Sequence, residues 1–312
     1  MNRFGLIGTI TSDHIMVDDR PAIHGLGGIL YQAAVLCGQG EEVHLFANCG
    51  EVSRCAVEET VARWSTLRRD GLTFVPGPGN QVHLRYAERL KEREEVLASA
   101  VPPLNAAPIL ASLPGIDALL MVFNSGFEFE RADWRRIVTA ARNRTCPIWL
   151  DVHSFVLARH VGAHRDYVAV PDWRDWMAGV TYLQANRQEV ASLRGHPERW
   201  PSADEIADFA AEAFAVGIRT VLVTMGKDGV LVLTEDGPRR ISAPTAGRVV
   251  DTTGCGDVFA AATLRLLIRG APLFEAAAAG VVLASNAVGL IGIEETYRLA
   301  LEGAGEGSGL NF

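Results

Sequence analysis

The sequence predicts an α/β fold with a central, mostly parallel sheet between helices. Three observations predict it. Short, almost wholly apolar runs recur at Phe4–Ile10, Val43–Ala47, Ala118–Phe123, Ile148–Asp151, Val180–Gln184, Thr220–Thr224 and Val230–Thr234. Runs apolar on both faces are those of strands buried in a parallel sheet. Stretches of helical period separate many of them, at Leu30–Gly38, Ser53–Arg69, Phe129–Arg142, Arg187–Leu193 and Ala203–Val216. After Asp251 the strands stop, and Ala- and Leu-rich helices follow at about Gly256–Arg269, Leu273–Ala287 and Glu294–Leu301. The tail Gly303–Phe312 is rich in Gly and Ser and is expected to fray.

Composition narrows the function classes. With 312 residues, 48% hydrophobic and 21% charged, the chain can bury a sizeable core. No repeat or linker divides it, so residues 1–312 read as one domain. Acidic side chains outnumber basic ones 37 to 29, and the net charge of −8 argues against gripping nucleic acid or anionic membrane. No apolar run reaches the roughly 20 residues that span a bilayer. The N-terminus does not read as a signal peptide. Five cysteines without a C-x-x-C pair are cytosolic usage, so a cytoplasmic protein without disulfides is expected.

Two regions break the rhythm. Thr11–Leu26 is polar, with the turn cluster Asp18-Asp19-Arg20-Pro21, and Gly71–Pro103 combines irregular strands with the charged run Arg89–Glu95. They are either surface loops or a small lid, formed by about 11–26 and 80–100, over one end of the sheet.

In an open parallel sheet, ligands bind beyond the carboxyl ends of the strands. The most informative segment is Asp251-Thr252-Thr253-Gly254-Cys255-Gly256-Asp257, which runs into the helical Val258-Phe259-Ala260-Ala261-Ala262. It is a Gly-rich turn at a helix N-terminus, where unpaired amides and the helix dipole favour an anion. Asp257 then puts a carboxylate beside that anion. It either caps the helix or takes a proton from an attacking hydroxyl.

This motif resembles the C-terminal signature of ribokinase-like carbohydrate kinases, the PfkB family. No P-loop pattern occurs in the chain. The resemblance implies Asp257 as general base, with the amides of Gly254, Cys255 and Gly256 as an anion hole. It also makes Asp251 and Thr253 candidates for a monovalent-cation loop, with K⁺ as its ion. Three further segments resemble the family in order. Gly8–Ile15 ends the first strand, and the resemblance gives Asp13 and Thr11 to the hydroxyls of a sugar. Gly27-Gly28 opens a helix in which Gln32 stands where the family has a sugar-binding Asn. Asn186-Arg187-Gln188-Glu189 resembles an Asn-x-x-Glu motif that orients waters around Mg²⁺ at the ATP phosphates, with Asn186 also on the nucleotide side. Its Asn and Glu share one face of a helical turn, and a helix start explains the same spacing. Thr224-Met225-Gly226-Lys227-Asp228-Gly229 resembles a nucleotide loop, which places Thr224, Gly226 and Gly229 on ATP. Asn124, after a strand, is a candidate for the acceptor.

The resemblance implies a ribokinase-like three-layer fold with a reduced β lid. The activity it implies is transfer of the γ-phosphoryl group of ATP to a hydroxyl of a sugar or sugar-like acceptor. Two alternatives stay open: a nucleoside kinase, favoured if Tyr31 or Phe127 offers a stacking ring, and a catalytically silent sugar or nucleotide sensor. The expected partner is a small-molecule acceptor, with no nucleic acid and no membrane, and a homodimer is also open.

Overall fold

The computed structural model describes residues 1–17, 23–86, 94–245 and 249–306. Asp18–Pro21, Ala87, Arg89, Lys91 and Arg93 lie outside the described residues, as do the last six of the tail. The N-terminal part contains β1 (Arg3–Val17), β2 (Ile23–Gly28), α1 (Leu30–Gly38), β3 (Glu42–Gly50), α2 (Arg54–Ala62), β4 (Leu67–Val75), β5 (Asn80–Tyr86), β6 (Glu94–Ser99) and α3 (Ala106–Ser112). The central part runs through β7 (Ala118–Val122), α4 (Arg131–Asn143), β8 (Ile148–Asp151), α5 (Trp173–Met177), β9 (Tyr182–Asn186), α6 (Arg187–Leu193) and α7 (Ala203–Ala215). β10 (Thr220–Thr224), β11 (Val230–Thr234) and β12 (Gly237–Ile241) precede α8 (Cys255–Ile268), α9 (Leu273–Ala287) and α10 (Gly292–Glu306).

The main sheet has the order β12-β11-β10-β9-β8-β7-β1-β3-β4. Pairing is parallel from β10 through to β4, and antiparallel only where β11 and β12 close one edge. Both faces are buried, as the apolar runs predict. Along β7, Ala118, Leu120 and Val122 enter one core and Leu119 and Met121 the other. The first core lies under α1, α8 and α9, and the second under α3, α4 and α7.

β1 exceeds the expected Phe4–Ile10. Its first half pairs with β3 and β7 in the main sheet, and its second half pairs with β2 and β5 in a second, smaller sheet. β6 extends that sheet through β5. The polar segment Thr11–Val17 is therefore a lid strand. Ile15, Val82, Leu84 and Leu97 form the lid's own small core, which loops would lack.

One other expectation changes at the sheet edges. The helix expected over Ser53–Arg69 ends at Ala62, and Leu67-Arg68-Arg69-Asp70 begins the edge strand β4. β12, Gly237-Pro238-Arg239-Arg240-Ile241, forms the other edge. The charges of β4 and the proline and arginines of β12 suit an edge, where they resist pairing with a second chain.

The far end of α8 is clamped by a buried ion cluster. Glu41 is wholly buried and accepts from Arg265 Nε at 3.0 Å, Arg269 Nε at 2.8 Å and the Asn2 amide at 2.7 Å. Glu41→Ala leaves the largely buried Arg265 without its carboxylate. It is expected to lower unfolding free energy by about 3 kcal/mol, read from the urea midpoint. A loss under about 0.5 kcal/mol would show that the cluster contributes nothing net.

Candidate active site

Asp257 sits in the first turn of α8, and three elements fix that turn. Gly254, the residue before the helix, has φ of 78°. A Cβ there would lie 2.5 Å from the Tyr31 ring, so only glycine fits over that ring. From the sheet, Gln184 Nε2 donates to Asp151 Oδ2 at 2.7 Å and to the Gly256 carbonyl at 3.2 Å. Trp149 Nε1 holds the other end of that amide at 3.2 Å. From α1, Gln32 Nε2 donates to Asp257 Oδ1 at 2.9 Å. Among the described residues no side chain caps α8, and the Cys255 amide bonds the Thr252 carbonyl at 3.3 Å. Gly254, Cys255 and Gly256 line the cleft or the cavity that adjoins it, a helix start of the kind that can hold an anion.

Burial, reinforced by Asp251 and Asp257, pushes the Cys255 thiol up to about 12. Cys255 is therefore a neutral thiol at physiological pH and no nucleophile. Burial likewise raises the Tyr31 phenol, with Asp13, Asp251 and Asp257 acting in the same direction. Asp251 accepts the Thr253 amide at 2.9 Å, and the amides of Val250 and Asp251 both bond the Val288 carbonyl.

Asp257 borders two spaces. A cleft of about 690 Å³ is lined by Asn186, Arg187, Glu189, Thr224 and Gly226 as well as Asp257. It shares Thr224, Gly226 and Lys227 with an adjoining cavity of about 660 Å³. Val230, Ala243, Pro244, Val281 and Val288 give that cavity apolar walls. Gly226 and Gly229 have φ of 56° and 88° in the turn between β10 and β11, as a glycine loop there requires.

On the other side of Asp257 is a cavity of only about 50 Å³, lined by Thr11, Asp13, Gly28 and Asn124 among others. The expected acceptor residues thus converge, with two differences. Gln32 is wholly buried against Asp257, and Asn124 Oδ1 is taken by the Thr9 amide at 3.1 Å. Gly27 faces Asp13 closely. A Cβ on Gly27 would lie 2.0 Å from Asp13 Oδ2, and one on Gly28, whose φ is 63°, would lie 2.2 Å from the Thr9 carbonyl.

Asn186 and Glu189 form a capping box at the start of α6. Glu189 N donates to Asn186 Oδ1 at 2.8 Å, Asn186 N to Glu189 Oε2 at 2.8 Å and Asn186 Nδ2 to Glu189 Oε1 at 2.6 Å. The helix-start reading of the motif holds, and the same carboxylate lines the cleft. Among the described residues no group of three or more His, Cys, Asp or Glu is placed to hold a metal directly. The Glu189 carboxylate and the Asn186 amide that line the cleft offer oxygen acceptors of the kind that can hold a Mg²⁺ ion through its waters.

Sequence reasoning missed several residues here. His153, given no role, lines both the cleft and the small cavity, with φ of 37°. Glu95 reaches the small cavity from β6 and pairs with the buried Arg165 at 3.4 Å. Arg165 also donates to the Ser125 and Ala158 carbonyls at 2.8 and 2.9 Å, fastening lid to body. Buried Glu128, its carboxyl raised by burial, accepts the amides of Ser125 and Gly126 behind Thr9. A polar Gln184 inside an apolar strand was the available signal for the Asp151 pair.

The family model for pfkB family carbohydrate kinases matches residues 133–296. The chain belongs to the PfkB family of carbohydrate kinases. The match takes in Asn186–Glu189, Thr224–Gly229 and Asp251–Asp257, and bears out the resemblance drawn from them. Bifunctional protein HldE of Caulobacter vibrioides is 30% identical over 46% of this chain and 31% of its own. Arabidopsis thaliana ribokinase is 33% identical over 29% of this chain and 24% of its own. The chain spans about a third of the length of the curated relatives it matches. Solved PfkB-like folds superpose over nearly the whole chain. Arabidopsis thaliana ribokinase complexed with ribose and ATP has a TM-score of 0.74 at 18% identity, covering 96% of this chain and 98% of that one. Burkholderia thailandensis nucleoside kinase in complex with inosine gives 0.72 at 18% identity, with 98% of each chain covered. The ribokinase-like architecture with a parallel sheet between helices stands. Among the described residues, no helix is long and apolar enough to cross a membrane.

The close fit of Gly27 over Asp13 is testable by a matched pair. Gly27→Ala is expected to lower unfolding free energy by about 1–3 kcal/mol, because the new methyl displaces a packed carboxylate. Gly25→Ala, two residues earlier on β2 with nothing within 4 Å of its Cβ, is expected to stay within about 0.5 kcal/mol. Equal effects in urea titrations would refute the packing argument.

Proposed function

We propose that the protein transfers the γ-phosphoryl group of ATP to a hydroxyl of a sugar or sugar-like acceptor, with Asp257 as general base. The observation that carries this reading is the position of Asp257. It lies in an open helix N-terminal turn and borders both the wide cleft and the small polar cavity. A hydroxyl in the small cavity meets the carboxylate on one side and a phosphoryl group at the α8 amides on the other. As its oxygen bonds to phosphorus, the bond to ADP breaks and the hydroxyl proton passes to Asp257. The amides of Gly254, Cys255 and Gly256 would stabilise the charge that develops on the phosphoryl oxygens, the Cys255 amide in place of its bond to the Thr252 carbonyl.

The apolar cavity beside Val230, Val281 and Val288 suits a purine base. It supports ATP as donor, with Thr224, Gly226 and Gly229 along its path. Glu189 and Asn186 would orient the water shell of a Mg²⁺ ion, which when bound neutralises charge on the donor phosphates. Asp251 and Thr253 remain the candidate cation loop. Asp13 and Thr11 would bind acceptor hydroxyls, with Gly27, Gly28 and Asn124 shaping that end.

Of the two expected stacking rings, Phe127 packs on the lid core, while Tyr31, largely buried beside Gly254, lines the small cavity. The acceptor panel therefore includes nucleosides as well as free sugars.

Asp257→Asn keeps the side-chain shape and removes the proton acceptor. The expected loss in kcat is roughly 10²–10⁴-fold with ATP affinity near wild type, measured against a panel of sugars, polyols and nucleosides. Retention of most of kcat would end the base assignment.

Glu189→Gln tests cap against metal, because Gln keeps the acceptor for the Asn186 amide and gives up the negative charge together with the second bond, from Asn186 Nδ2. The Mg²⁺ concentration for half-maximal activity is expected to rise roughly tenfold or more, with thermal stability little changed. An unmoved Mg²⁺ dependence would leave the pair as a helix start alone.

A further inference from the structure

Gln32 is wholly buried in α1 among Leu30, Ala33, Ala34, Val35 and Leu36. Its Nε2 donates to Asp257 Oδ1 at 2.9 Å, while its Oε1 is buried with no hydrogen-bond partner among the described residues. A buried orphan carbonyl is unfavourable, and most buried polar atoms in folded proteins are partnered. Met would fill the same space without it. The amide orientation is also dictated, since the reverse would set a carbonyl oxygen against a carboxylate. The helix therefore retains an amide at a cost, and the bond that amide makes is to the catalytic carboxylate.

The surroundings of Asp257 give that bond a task. Asp13 faces it from β1, Glu95 from β6, Tyr31 from α1 and His153 from the turn after β8. Asp251 precedes it on the segment that leads into α8, and Cys255 shares its first helical turn. The neighbouring carboxylates disfavour a further negative charge, and a neutral donor offsets them without adding a titrating group.

We infer that Gln32 is a positioning residue for the base, fixing one carboxylate oxygen and favouring the ionised form, and is not an acceptor-binding residue. This rests on Asp257 being the base. Gln32→Met removes the amide at similar volume. The expected result is a folded protein with kcat down roughly tenfold to a hundredfold, and acceptor KM within about twofold. Loss of a donor to the charged form favours protonation, so the acid limb of the pH–kcat profile is expected to move up by about one unit. An unmoved acid limb with kcat intact, or a raised acceptor KM at unchanged kcat, would overturn the inference. The second pattern would mark a direct acceptor contact.

A readout that needs no acceptor keeps the two readings apart. In protein labelled with ¹⁵N-glutamine, the Gln32 side-chain amide is assigned by its loss in Gln32→Met. Its protons are expected to shift with pH in the wild type and to stay level in Asp257→Asn. Level signals in both would overturn the inference whatever the activity. A clear titration with no turnover of any acceptor would instead count against the kinase reading alone.

Discussion

The site depends on one continuous strand. β1 is 15 residues long and belongs to two sheets, the main sheet up to Thr9 and the lid from Ile10 or Thr11 onward. Because a strand rises about 3.3 Å per residue with side chains alternating, Thr11, Asp13 and Ile15 share the inner side of the lid. Ile15 enters the lid core, and Thr11 and Asp13 line the small cavity. The crossover is pinned by the bonds from Thr9 N to Asn124 and from Asn80 to Thr9 Oγ1. Antiparallel pairing then sets Gly27 opposite Thr11 and Gly28 opposite Ile10. A side chain on either glycine would strike the strand that it faces.

The other half of the site is built on the same logic from the opposite side. The start of α8 is where Gln184, Tyr31 and Gln32 meet, and the Glu41 cluster holds its far end. The helix is thus held at both termini, so the place of the Asp257 carboxylate is set by packing. Such fixing matters more for a base than for a binding group. Proton transfer and in-line attack both need near-contact geometry, which sub-ångström displacement degrades.

Much of this was legible in the residues. α1, α6 and α9 fall where helical period puts them, because each buries an apolar face within one uninterrupted element. The Asp251–Asp257 motif was legible because its turn demands glycine, at Gly254 with φ of 78° against the Tyr31 ring. The remaining features are products of tertiary contact. Arg68, Arg69 and Asp70 look helical until β4 is known to be an edge. The Glu95–Arg165 pair is separated by 70 residues, and the Gln32–Asp257 bond by 225, so no local pattern announces either. His153 shows the same limit, since a positive φ in a non-glycine residue is imposed by its surroundings.

The uneven legibility follows from the chemistry of the two ends. The family match covers residues 133–296, which carry the cleft, the glycine loop and Asp257, the proposed base. Asp13, Gly27, Gln32 and Asn124 all precede it. A phosphate chain is bound by amides, helix ends and glycine turns, and few sequences supply that geometry. Acceptor hydroxyls are satisfied by any well-placed carboxylate, amide or hydroxyl, so side chains there can change while the fold and the transfer chemistry persist. Gln32 is such a change. Its amide bonds Asp257 at 2.9 Å, at the seam between the two ends. If Asp257 is the base, as proposed, a substitution that reads as a minor loss of sugar contact bears instead on the electrostatics of the reacting group.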